Sequence, residues 1–141
     1  MNRSSFLPAL FRWIGLVGAI VLTIPFILAM SLDPNPDGLG THRQLGLPPC
    51  SFVMLWQIRC PMCGMTTSWA YLMRGNLLDA LRSNPGGVIL AGMNGFLILK
   101  FLRMAKLRRL PSDREMRTIV HAAMLAGFVI LSFWLIRFRD L

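Results

Sequence analysis

Two thiols stand three positions apart in "CPMCGMTTSW", residues 60–69, with a proline between them and a glycine directly after the second. Cys50 lies ten residues upstream of Cys60, and Cys50, Cys60 and Cys63 are the only cysteines in the chain. This set supports three chemistries. In an oxidising compartment two of the thiols can pair, as Cys50–Cys60, Cys50–Cys63 or Cys60–Cys63, leaving one over. A bridge from Cys50 would close a loop of about ten to fourteen residues and staple the segment by about 3 kcal/mol in the chain-entropy account.

The second chemistry is thiol–disulfide exchange. Cys63 sits just before a predicted helix, where unpaired backbone N–H groups favour a thiolate and lower its pKa. Cys60 would be its partner, and Cys50 would resolve the mixed disulfide. The third is metal binding. His42 precedes Cys50 by eight residues and completes the pattern H-x7-C-x9-C-x2-C, whose donor types suit zinc, a metal held almost always by four ligands in structural sites. One C-x2-C is half of the usual zinc signature, so the spacing leaves the three chemistries open.

The elements that position these thiols follow from composition. The chain has 141 residues, is 55% hydrophobic and only 15% charged, with a mean hydropathy of +0.56. That is too apolar for a water-soluble domain of this length. The net charge of +9 would suggest nucleic acid in a soluble protein. Here the basic residues fall between long apolar runs instead of interleaving with aromatic residues along one face, which argues against nucleic-acid binding and fits an anionic membrane leaflet.

Three uncharged segments approach the ~20 residues that cross a bilayer core as a helix. They are residues 13–32, 83–99 and 118–136. The first exceeds the apolar core of a cleavable leader and reads as a retained helix, with Pro25 expected to kink it. Seven Lys and Arg residues lie in the connection 100–117, against four (Arg43, Arg59, Arg74, Arg82) in residues 33–82. The positive-inside rule then makes 100–117 a cytoplasmic loop, puts the N-terminus inside, and makes 33–82 an extracytoplasmic loop that carries every cysteine.

Within that loop, residues 33–49 are rich in Pro, Gly and Asp and read as a connector. "SFVMLW" places Phe52 and Trp56 on one helical face, as an interfacial helix would. Two short helices follow. Thr66 or Thr67 is the expected cap of the first, Trp69 and Tyr71 suit the headgroup level, and Gly75 ends it. Asn76 caps the second, with Asp79 three positions on, and Leu77, Leu78 and Leu81 share a face expected to pack on the bundle.

Cys50 preceded by proline, "CPMCGMT", and "LMRGNLLDALRSNP" at this spacing resemble the bacterial membrane-protein family known as domain of unknown function 2752. Cys50, Cys60, Pro61, Cys63, Gly64, Thr66, Gly75, Asn84 and Pro85 fall on its motif positions, within residues 48–87. Thr67 and Gly86 stand where that family usually has arginine and leucine. The resemblance implies a small polytopic membrane protein and supplies no activity.

Other features have plain structural readings. His121 and Asn94 fall in membrane segments and are expected to hydrogen-bond neighbouring helices. Gly87, Ala91 and Gly95, and Ala123 with Gly127, recur at the spacing of close helix packing. The ten methionines show no repeated ligand spacing, and Met93, Met104, Met116 and Met124 read as core or lipid-facing filler. The six acids, Asp33, Asp37, Asp79, Asp113, Glu115 and Asp140, are dispersed, and no phosphate loop or catalytic serine arrangement is present, which favours a non-enzymatic role.

The expectation is an all-α polytopic protein of a bacterial inner membrane: three transmembrane helices plus short interfacial helices in the outer loop, forming one membrane domain. It would be a structural or accessory component with a cysteine-anchored hairpin. Thiol–disulfide oxidoreductase and zinc-binding module are the alternatives. Its partners are the lipid bilayer and a further membrane protein or a second copy of itself.

Overall fold

The computed structural model describes residues 3–57 and 60–138. Arg59, which enters the charge count above, and Asp140, one of the six acids, lie outside that set. The architecture is all-α, with no strand among the described residues. Three long helices dominate: α1 (Arg3–Ser31), α5 (Pro85–Leu107) and α6 (Asp113–Phe138). Each is long and apolar enough to cross a membrane, and this is a membrane protein. Between α1 and α5 lie a 3-10 turn (Thr41–Leu45), α2 (Ser51–Trp56), α3 (Met65–Met73) and α4 (Leu77–Ser83).

The long helices run past the uncharged segments. Most of the basic stretch 100–117 is helical: α5 continues to Leu107, α6 begins at Asp113, and only 108–112 connects them. Lys and Arg are good helix formers whose apolar stems can lie along a helix while their charges reach water. The turn is built locally. Arg108 ends α5 in the left-handed region at φ 51°. Ser112 and Glu115 form a capping box, the Ser112 N–H donating to Glu115 Oε2 at 2.8 Å and the Glu115 N–H to Ser112 Oγ at 3.4 Å.

α1 and α5 pack antiparallel. A Cβ at Gly15 would lie 2.7 Å from the backbone of Phe101 and Ala105, and one at Gly18 would lie 2.5 Å from the Phe101 ring. Further along, Asn94 Nδ2 donates to the Leu22 carbonyl at 2.9 Å, a bond between helices that costs no water contact in lipid. The close-packing glycines therefore include Gly15 and Gly18, which the four-residue spacing did not single out. Gly87 is tight against Ser68, but Gly95 and Gly127 have nothing within 4 Å of an added Cβ.

α6 packs on α5 alone among the described elements. Arg103 approaches Glu115 at 3.9 Å, and Ile130 lies beside Gly86 at the other end of α5, so this pair is antiparallel too. The small side of Gly86 is what admits Ile130, since a Cβ there would meet it at 3.2 Å. The rest of α6 is bare: Met124 and Phe128 are 68% and 69% exposed. An apolar surface of that extent is poorly tolerated in water and suits a lipid environment. His121 sits on this bare helix and its Nδ1 donates to Arg117 O one turn earlier in the same helix at 2.7 Å, instead of reaching a neighbouring helix.

The basic end of the bundle (start of α1, end of α5, start of α6) is thus opposite the end carrying residues 32–84. There α3 and α4 form a hairpin. Gly75 closes α3 at φ 76°, with its N–H on Leu72 O and the Asn76 N–H on Tyr71 O, both at 3.0 Å. The Asn76 side chain then accepts from the Asp79 N–H and starts α4. Arg74 ties this hairpin to the end of α1, donating to Leu32 O at 2.7 Å and Asp33 Oδ1 at 2.9 Å.

One expectation for the hairpin is corrected. Leu77, Leu78 and Leu81 point outward, at 52%, 60% and 41% exposure, because the small Ala80 and Ser83 take the buried face and bring α4 close to its neighbours. Trp69 also packs on the bundle: its Nε1 donates to Gly87 O at 2.7 Å, and its ring stacks on Phe26 of α1 with centroids 5.1 Å apart.

Candidate functional site

The loop Cys60–Gly64 is a tight turn. The Cys63 N–H bonds to Cys60 O at 3.0 Å, and the Met65 N–H to Met62 O at 3.1 Å. Gly64 occupies the left-handed region at φ 84° and is itself the N-cap of α3, so Thr66 and Thr67 fall inside the first turn and neither caps it. A side chain at 64 has no room, because a Cβ would lie 2.6 Å from Gly38 O and 2.9 Å from Ser83 O.

Asn84 locks this turn to the membrane bundle. Its side-chain oxygen accepts from the Gly87 N–H at 3.0 Å, capping α5, for which Pro85 supplies the first helical residue. Its Nδ2 donates to the carbonyls of Pro61 and Cys63, both at 3.0 Å. Ser68 Oγ in turn donates to Asn84 O at 3.0 Å. On the other side, Thr41 and Thr67 share a buried hydrogen bond of 2.8 Å, and the Asn35 N–H donates to Thr41 Oγ1 at 3.1 Å, which pins the connector to α3.

This scaffold brings the three thiols together. Cys60 Sγ lies 3.1 Å from Cys63 Sγ and 3.5 Å from Cys50 Sγ, and all three sulfurs lie within 4.8 Å of one another. Cys50 arrives from a separate helix, as the N-cap residue of α2. The expected disulfide staple is not supported: the three cysteines are free in this structure, at separations well beyond the ~2.05 Å of an S–S bond. Sulfurs sharing a metal at about 2.3 Å would stand about 3.8 Å apart, so small rotations of these side chains convert the triangle into a ligand set.

The thiols face a cavity of about 590 Å³, whose walls include Met62, Met65, Thr66, His42 and Asp37. His42 does not join the sulfur cluster. Its Nε2 is 3.2 Å from Pro48 O, and among the described residues the group of mutually close ligand atoms consists of the cysteines alone. Met62 and Met65 share the cavity with the thiols. The lack of a repeated methionine spacing hid them, although their position inside and just after C-x2-C was a usable signal.

The thiols are electrostatically unequal. Burial, reinforced by sharing its proton with the sulfurs of Cys60 and Cys50, pushes the Cys63 thiol up to about 12. The acidic Cys63 expected from its place before a helix is therefore not found. Its own N–H is turned back onto Cys60 O, and desolvation dominates. At Cys50 burial is the largest single influence and raises the pKa, but the Val53 N–H, the Cys63 and Cys60 thiols and the Phe52 N–H together outweigh it and leave the group below its ordinary value.

Residues 50–98 match the sequence model of a family described as a protein of unknown function (DUF2752), the same family whose motif the cysteine segment resembles. The matched region begins at Cys50 and runs through both short helices into α5, so it covers the thiols and the Asn84 clamp together. No curated protein and no solved structure matches the chain.

Proposed function

We propose that this chain is an accessory component of a bacterial inner membrane whose outer hairpin is anchored by a thiophilic metal ion held by Cys50, Cys60 and Cys63. The observation that carries the reading is the convergence of three sulfurs from two separately positioned segments within 4.8 Å. A metal there would cross-link α2 to the turn before α3, and so to the bundle through Asn84. α2 makes no packing contact with another helix among the described elements, so a bond from Cys50 is what would fix it.

Sidedness rests on charge. Seven Lys and Arg residues of 100–117 lie at the end of the bundle opposite the thiols, against four in 33–82, which would put the start of α1 on the cytoplasmic side. The test has two parts. Full-length protein, purified in detergent under reductant, should retain one equivalent of thiophilic metal, and serine at any one of the three cysteines should release it. In intact cells stripped of metal, a membrane-impermeant maleimide should reach Cys50 from outside.

Thiol–disulfide exchange through Cys60 and Cys63, resolved by Cys50, is the second reading, and the 3.1 Å sulfur separation favours it. The raised pKa of Cys63 counts against it, because exchange proceeds through the thiolate. A Cys60–Cys63 bridge that forms and breaks with the redox buffer in preference to metal retention would select it.

A further inference from the structure

Building on that reading, we infer that the ion is monovalent copper, bound by a sulfur-only set of three thiolates in a cavity that also presents the thioethers of Met62 and Met65. As a zinc centre the site is incomplete. Structural zinc takes four ligands in a tetrahedron, and the cluster offers three. The two side chains on the cavity wall that could complete a zinc set, His42 and Asp37, stand outside the group of mutually close ligand atoms. His42 is further committed through Nε2 to Pro48 O.

The donors that are present point the same way. Five sulfur-bearing residues, Cys50, Cys60, Cys63, Met62 and Met65, line a single cavity. Thiolate and thioether donors are soft and select monovalent copper over harder ions, whereas imidazole and carboxylate suit zinc, divalent copper and the other divalent metals. Three sulfurs in a triangle satisfy a small closed-shell monovalent ion without a fourth donor. Binding replaces S–H bonds by S–Cu bonds and releases the displaced protons to solvent, with no change in oxidation state. The thioethers line the same cavity as the thiols and would hand the ion to them by ligand exchange. Arg43 on the same wall offsets the negative charge of the loaded thiolates.

The experiment is a competition. Reduced full-length protein in detergent, under anaerobic conditions, is titrated with copper(I) presented as its complex with a coloured copper(I)-specific chelator, and separately with zinc and cobalt(II). The expected result is withdrawal of one equivalent of copper from the chelator, retention of that equivalent against a large molar excess of zinc, and an X-ray absorption first shell of sulfur alone. The Met62→Leu, Met65→Leu double variant should take up copper severalfold more slowly while reaching the same final equivalent. That variant leaves the thiols and the Asn84 clamp in place, so it reports on the cavity even if the cysteine variants fail to fold. Displacement of copper by zinc, or nitrogen or oxygen in the first shell, overturns the copper assignment and leaves the metal-anchored hairpin standing. Failure of copper, zinc and cobalt alike to bind overturns both.

Discussion

The side-chain amide of Asn84 donates to the carbonyl oxygen of Cys63 at 3.0 Å while its oxygen caps α5 through the Gly87 N–H. One residue thereby starts a membrane helix and sets the turn that carries two thiols. The two roles use opposite ends of the amide and can be separated. Asn84→Ala loses both, at about 1 kcal/mol for the cap and about 1 kcal/mol for each of the two bonds to Pro61 and Cys63. Asn84→Asp keeps the cap but points an anion at two carbonyls. Helical content by circular dichroism should survive in Asn84→Asp, with metal retention lost. Equal metal retention in the wild type and the Asp variant would show that the clamp does not shape the site.

Gly64 and Gly75 form a matched pair. Both are left-handed, at φ 84° and 76°, but an added Cβ at 64 meets Gly38 O at 2.6 Å whereas at 75 it meets nothing within 4 Å. Gly75→Ala should cost about 1–2 kcal/mol, the conformational penalty alone. Gly64→Ala should cost distinctly more and disturb the thiol turn. Thermal unfolding in detergent, read beside thiol reactivity, measures both. Similar losses for the two variants would contradict the packing described around Gly64.

Alkylation of the metal-free protein should proceed in a definite order. The thiolate is the reacting species, so at mildly alkaline pH Cys50, with its lowered pKa, reacts first. Cys63, held up to about 12 by burial, reacts last and accelerates as pH rises. Mass spectrometry after timed quenching gives the sequence of modification. Early modification of Cys63 would mean that its burial is not maintained in solution.

The same protonation equilibria set the pH dependence of metal binding. Ligand thiols must lose their protons to bind. With the Cys63 thiol at about 12, its proton competes throughout the neutral range, so affinity rises with pH and is lost as pH falls, by about tenfold per unit for each proton displaced. His42 stands outside the ligand set, its ring apart from the cluster and bonded at Pro48 O. His42→Ala should leave the metal stoichiometry and its pH slope where they are, as followed by competitive titration between pH 6 and 8. A parallel loss would place His42 in the ligand set.

Which parts of this arrangement could be read from sequence follows from the range of the interactions involved. The three long helices announce themselves through uncharged runs of near-membrane length, and the Gly75 and Asn76 caps through residue types that act within one turn. The ends of α5 and α6 were less legible, because Lys100, Lys106 and Arg114 continue a helix whose hydrophobic run has ended. Contacts between distant segments left no local period. Nothing in the spacing of Gly15 and Gly18 names Phe101 as their neighbour, and nothing in Leu77, Leu78 and Leu81 says that Ala80 and Ser83 take the inner face. For the thiols, C-x2-C announces the closeness of Cys60 and Cys63. The arrival of Cys50 depends on α2, and the acidity of Cys63 depends on burial that an adjacent-helix rule does not capture.

If Cys50, Cys60 and Cys63 act together on one ion, the mass of the intact, reduced chain after alkylation, measured with and without a prior equivalent of thiophilic metal, reports it. Three modifications are expected in the metal-free protein and none in the loaded protein, with all three returning together when a chelator removes the ion. Three modifications in both samples, or protection of only one or two thiols, would contradict it.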